Sequence, residues 1–183
     1  MDKGAEYYLK YLQGDNDALV ELMREYRDGL ILYINGIVGD MPTAEDIAED
    51  TFFRLITKKP KYLKLDNASF RTWLYGVGRS IAYDKLRRDK RIVYTDLPDK
   101  QADESFEDVF FKSEIKKALY RCLLKLSPEK YELIWFSYFE EFDAKQISKI
   151  TGKSEASVYT SLSRIRAELR KLMKEEGYTN EDI

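Results

Sequence analysis

VYTSLSRIRAELRKL, residues 158–172, carries two patterns on one helix. Val158, Leu162, Ile165, Leu169 and Leu172 recur at steps of three and four, which puts them on a single buried face. Tyr159, Ser163, Arg166 and Arg170 fall on another face, and that face needs a reason of its own. Immediately upstream, Thr151-Gly152-Lys153-Ser154 is a short glycine-containing turn, with Ser154 as the N-cap of the long helix. Before the turn, Asp143-Ala144-Lys145-Gln146 offers a capping box. These signals predict a short helix from Ala144 to Ile150, with Ile147 and Ile150 inward, then a tight turn, then a helix that continues well beyond it.

Two helices in that order form a helix-turn-helix signature. In such a geometry the early residues of the second helix face base edges, which selects Glu155, Ala156, Tyr159, Thr160 and Ser163. Arg164, Arg166 and Arg170 follow where phosphates would lie, and the helix start adds free backbone N–H groups. A plain helical bundle or a protein-docking helix is the competing reading. The apolar stripe is core in either case, so only the outer face changes meaning.

Working outward, Ser127-Pro128 reads as an N-cap followed by proline at the first helical position, and helical patterns fill 109–125. The segment 92–107, IVYTDLPDKQADESFE, has no sustained apolar period, and six acids against Lys100 within 96–108 mark an exposed, flexible acidic linker. Upstream of it, apolar positions from Ala18 to Val38 recur at helical spacing, with a break expected near Asp28-Gly29. Thr43 reads as an N-cap for a helix whose inward face is Ala44, Ile47, Ala48, Thr51, Phe52, Leu55 and Ile56. KKPKYLKLDN, 58–67, is a loop after which a helix from Phe70 to about Arg91 turns Phe70, Trp73, Leu74, Val77 and Ile81 inward, leaving Tyr75, Arg79 and Tyr83 partly outward. The fold class is therefore all-α: two small helical domains, 1–91 and 108–176, joined by the 92–107 linker, the second a helix-turn-helix domain of four helices.

With 183 residues, 44% of them hydrophobic, the chain has enough apolar surface for one compact domain or two small ones. Cys122 is the single cysteine and sits among leucines, so it reads as a buried small hydrophobe rather than a disulfide partner. No apolar run is long enough to span a bilayer, and the expected location is the cytoplasm. The formal charge of −2 conceals a segregation. Residues 1–53 hold 4 Lys or Arg against 12 Asp or Glu, whereas residues 54–91 hold 12 against 3. Two basic surfaces on separate modules suit two contacts with one long polyanion.

Basic residues interleaved with aromatics in FRTWLYGVGRSIAYDKLRRDKR and the preceding loop suit unpaired nucleic acid, where cations meet phosphates and rings meet bases. The alternative is that the tyrosines pack and the lysines solvate a loop. Glu45, Asp46, Glu49 and Asp50 crowd the polar side of one helix. With no histidine in the chain and no second ligand cluster, a metal or acid–base reading has little to stand on; an acidic face for a basic partner surface is more economical. Neither a glycine-rich phosphate loop nor a thiol–histidine pair exists, so no catalytic residue, metal or cofactor is assigned.

Taken together, GDNDALVELMREY (14–26), AEDIAEDTFFRLI (44–56), FRTWLYGVGRSIAYDKLRR (70–88) and the segment 126–172 resemble, in order, the extracytoplasmic-function sigma factors of bacterial RNA polymerase, within the sigma-70 superfamily. The resemblance implies that Asp46, Glu49, Asp50 and Phe53 dock on the clamp helices of the largest subunit of core polymerase. It implies that the loop 60–68, with Lys61, Tyr62, Lys64 and Asn67, captures a flipped base of the minus-ten element, and that Arg71, Trp73, Arg79, Lys85, Arg87 and Arg88 hold the separated strand. The linker would thread toward the RNA exit path. Lys153, Ser154, Glu155, Ser157, Tyr159, Thr160, Ser163, Arg164 and Arg166 would meet the minus-35 element in promoter DNA. The partners implied are core polymerase, through its clamp helices and flap, promoter DNA, and an anti-sigma factor, which in this family is often membrane-anchored, with the free chain a monomer. The chain departs from the family where members often carry Thr-Val-Lys-Ser-Arg: Tyr159 and Ser161 stand at positions where basic residues are usual. An independent helix-turn-helix regulator is the alternative function; it would have no use for the acidic Asp46 face.

Overall fold

The computed structural model describes residues 3–58, 69–90, 108 and 110–178. The expected loop at 59–68 and linker at 92–107 lie outside the described residues. Among those described there are eight helices and no strand: α1 (Lys3–Leu12), α2 (Asn16–Val38), α3 (Met41–Lys58), α4 (Phe70–Lys90), α5 (Glu114–Leu124), α6 (Pro128–Tyr138), α7 (Ala144–Thr151) and α8 (Glu155–Glu175). None of these helices is long and apolar enough to cross a membrane. The chain divides into two compact units, 1–34 with 42–95, and 35–41 with 96–183.

In the first unit the core is aromatic. Tyr8 is fully buried, and its hydroxyl donates to the Leu55 carbonyl at 3.3 Å, tying α1 to α3. That burial pushes the phenol up to about 12. Phe70, at the start of α4, lies 6.2 Å from the Tyr8 ring and 5.4 Å from Tyr26. Gly78 lets α4 pass close to its neighbours: a Cβ there would stand 3.1 Å from Leu30 Cδ1 and 3.5 Å from Thr51 Oγ1. Thr51, buried on α3, spends its hydroxyl on the Ile47 carbonyl at 2.8 Å.

The structure differs from three local expectations. No break occurs at Asp28-Gly29, because α2 runs unbroken through it. Leu30 to Ile34 are all fully buried, and burial round the whole circumference outweighs a glycine's helix cost of about 1 kcal/mol. Thr43 is not an N-cap, since α3 already begins at Met41. Gly39, with φ 78, closes α2, and Pro42 falls in the first turn of α3, where its missing N–H is not needed. Tyr75 does not face outward; it is 2% exposed and meets Tyr33 edge-on at 5.1 Å.

In the second unit α5, α6 and α7 each pack on α8, and Trp135 of α6 has the Tyr120, Tyr131 and Phe139 rings within 4.5–6.1 Å. Cys122 is buried here and its thiol is pushed up by desolvation, as expected of a packing residue. Val158, Leu162, Ile165 and Leu169 form the buried stripe of α8, which ends on Met173, with Leu172 at its half-buried margin. Ser127 precedes Pro128 at the N-cap position of α6, although its side chain makes no capping bond.

Candidate functional site

Three helix faces carry the candidate residues. On α3, Asp46, Glu49, Asp50 and Phe53 are all exposed, and their spacing of three, one and three residues lines them up as one stripe. Phe53 is 63% exposed, an aromatic ring in water beside three carboxylates. Glu45 does not belong to the stripe: it lies 3.6 Å from Arg27, an ion pair between α3 and α2. Among the described residues, no group of three or more acids or cysteines is arranged to hold a metal ion.

On α4 the basic residues are more engaged than the sequence suggests. The Arg79 guanidinium lies 4.6 Å over the Tyr83 ring, Lys85 pairs with Asp89 at 3.3 Å, and Arg87 pairs with Asp84. Arg88 Nε donates to the Asp84 carbonyl at 3.3 Å. Such exposed pairs within a helix contribute only about 0.3–0.5 kcal/mol, so a phosphate can replace the carboxylate at little cost. Arg71 is half-buried, as is Trp73, whose ring is 6.3 Å from Phe70. Lys61, Tyr62, Lys64 and Asn67 lie outside the described residues.

The third face is built by a turn whose every element has a local cause. Asp143 Oδ1 accepts from the Gln146 N–H at 2.7 Å while Gln146 Oε1 accepts from the Asp143 N–H at 3.0 Å, so the capping box starts α7. Gly152 ends α7 with φ 74, a left-handed conformation that a side chain resists. Ser154 Oγ accepts from the Ser157 N–H at 3.3 Å and starts α8. The outcome is a helix whose first turns present Ser154, Glu155, Ala156, Ser157, Tyr159, Thr160, Ser163, Arg164 and Arg166 to solvent. Tyr159 is 64% exposed.

Two partners of this face are invisible to sequence patterning. Lys153 Nζ sits 3.2 Å from Glu129 at the start of α6, and the Arg166 guanidinium lies 5.8 Å from the Tyr138 ring at its end. Lys130 binds Glu168 at 2.7 Å, so the acid within the basic run of α8 is already matched. Arg164 has no ion pair among the described residues.

These faces sit on two helical units, one ending in a helix-turn-helix. Comparison with known proteins agrees in the same order along the chain. The description "Sigma-70 region 2" matches residues 22–92, and "Sigma-70, region 4" matches 116–169. The chain is 27% identical over 181 residues to the ECF RNA polymerase sigma factor SigW of Bacillus subtilis, covering 89% of this chain and 92% of that protein. It is 26% identical over 162 residues to RNA polymerase sigma factor YlaC of the same organism, covering 86% and 92%. The solved sigma factor RpoE of Bartonella quintana, in complex with the anti-sigma factor NepR, superposes with a TM-score of 0.67 at 18% identity over 84% of this chain and 95% of that one. CnrH, in complex with the cytosolic domain of CnrY, gives 0.61 at 18% over 95% and 99%. The class is thus a two-region sigma-70 protein. The chain belongs to the extracytoplasmic-function sigma factors of RNA polymerase.

Proposed function

We propose that this sigma factor binds core RNA polymerase through the α3 stripe and directs initiation by holding promoter DNA at two places. The division of labour follows 1–91 for core and minus-ten contacts, 92–107 for the linker and 108–176 for minus-35 contacts. The observation that carries this reading is the α3 stripe itself: three carboxylates and an exposed phenylalanine on one line, with no ion pair among the described residues. An aromatic anchor ringed by charge is the composition of a protein-binding hot spot rather than of a solvated helix. Its partner on this reading is the clamp-helix surface of the largest subunit, while the second unit meets the flap.

Arg71, Trp73, Arg79, Lys85, Arg87 and Arg88 on α4, with the segment 60–68, serve the separated minus-ten strand. The exposed turns of α8 serve the minus-35 duplex, Arg164 and Arg166 on phosphate. Linking two modest DNA contacts through the polymerase raises their effective concentration, so neither has to be strong alone. The chain itself performs no catalysis and acts in the cytoplasm as a monomer until it meets the polymerase. An anti-sigma factor is the fitting regulator, supported by the partner named for the Bartonella quintana RpoE structure.

Reconstituted transcription tests the proposal: bacterial core polymerase and genomic fragments, with the chain, without it, and with Asp46→Lys. New discrete transcripts that need the chain and vanish with Asp46→Lys are the expected result. Specific duplex binding by the chain with no association with a cognate core would replace this reading with an independent regulator.

A further inference from the structure

We infer that α8 selects its site by the C5 methyl groups of thymine, through an apolar ridge formed by Ala156, Tyr159 and Thr160, rather than by hydrogen bonds to guanine. The inference rests on the reading of α8 as the helix that enters the duplex groove. From Glu155 to Ser163 the helix contains no lysine or arginine. Guanine is read in the major groove chiefly by a forked or point cation on O6 and N7, and this stretch has none to offer.

What it does offer along one line is small, uncharged and largely apolar. Ala156, Tyr159, Thr160 and Ser163 stand at steps of three, one and three, all exposed, so they form one ridge along the outer face. Ala156 contributes a methyl and Tyr159 a ring that is 64% exposed. Thr160 Oγ1 donates to the Ala156 carbonyl at 3.0 Å. That bond turns the hydroxyl back along the helix and leaves the γ-methyl as the group Thr160 presents.

Positive charge is placed on either side of the ridge rather than on it, and the exposed Glu155 carboxylate at its start only accepts hydrogen bonds, so it has no donor for guanine O6 or N7. At one end Lys153 is held by Glu129 at 3.2 Å. At the other, Arg164 and Arg166 begin only after the ridge, where they can grip phosphate. Cations therefore position the helix, and the ridge between them meets base edges. Thymine is the base whose major-groove edge carries a methyl for such a ridge to cover.

The test uses holoenzyme, the full chain on core polymerase, and a pool of duplexes with a randomised upstream segment of about 10 bp, one helical turn. Retained sequences are resynthesised with thymine or with uracil in that segment; uracil pairs identically and lacks only the methyl. Retained sites rich in thymine, and uracil duplexes weaker by about fourfold for each contacted methyl, are expected. Tyr159→Ser should lower binding of the thymine duplex toward the uracil level and leave the uracil duplex nearly unchanged. The inference is overturned if uracil binds as well as thymine, or if Tyr159→Ser weakens both duplexes equally. Arg164→Gln with Arg166→Gln separates the two levels of failure. If that pair weakens both duplexes while uracil is tolerated, α8 is on DNA and only methyl reading fails; if neither the arginine pair nor Tyr159→Ser alters binding, the placement of α8 on DNA fails as well.

Discussion

The outer stripe of α3 and the outer ridge of α8 share one geometry and differ in chemistry. Asp46, Glu49, Asp50 and Phe53 repeat at the same intervals as Ala156, Tyr159, Thr160 and Ser163, and each set carries one aromatic ring that is nearly two-thirds exposed. On α3 the ring stands among carboxylates, which repel a phosphate backbone and suit a basic protein surface. On α8 the ring stands among small neutral groups with arginines following, which admits a duplex. Helix spacing sets which side chains can act together, and their charge selects the class of macromolecule they can meet.

Reversing the charge of the α3 stripe is the strongest way to test that contrast. Asp46→Lys with Asp50→Lys should weaken core-polymerase binding by about a hundredfold, as expected when interfacial charges are set against like charges, without altering the circular dichroism of the free chain. Phe53→Ala should cost about tenfold or more in the same assay if the ring is an anchor. The matching truncation on α8, Tyr159→Ala, should leave core binding unchanged; a loss there would erase the distinction between the two faces.

Presentation of α8 gives the middle-sized effects. Gly152→Ala meets no steric obstacle, since nothing lies within 4 Å of the new Cβ, so its cost is the backbone strain of φ 74 alone. A loss of about 1–2 kcal/mol is expected, read as a lower midpoint in chemical denaturation of the full chain. Asp143→Ala removes the capping box and should cost about 1 kcal/mol by the same measurement. The smallest effect belongs to Glu176, whose carboxyl is held below its ordinary range by hydrogen bonding to Lys125. Its contribution is complete above the usual carboxylate range and is lost as pH falls through the lowered value. The pair is exposed, so Glu176→Gln should shift thermal unfolding at neutral pH by no more than about a degree or two.

Much of the second unit was legible because its signals are local. A capping box, a left-handed glycine and an N-cap serine all lie within Asp143–Ser154, and each acts on groups only a few residues away. On α3, helix periodicity alone marks Glu45, Asp46, Glu49 and Asp50 as one acidic side, while Phe53 joins the set only through the family resemblance. Tyr75 and Gly29 depart from the sequence expectation because their conformations are decided by tertiary packing rather than by local spacing. Tyr75 is covered by Tyr33, and Gly29 stays helical because the residues after it are buried all round. Likewise, the pairing of Lys153 with Glu129 and the seat of Arg166 near Tyr138 join helices, so no spacing within one segment announces them.

The sequence by itself determined the helical character and the helix-turn-helix, because periodicity and capping act through bonds within a few residues; it also set the charge segregation, and the order of its segments carried the resemblance to sigma factors. Only the tertiary structure decided which polar residues of those helices are available to a partner. It removed Glu45 from the α3 stripe by pairing it with Arg27, engaged Lys153 with Glu129, and left Phe53 and Tyr159 in water. Availability depends on what packs beside a side chain, and that is fixed by contacts between segments far apart in the chain.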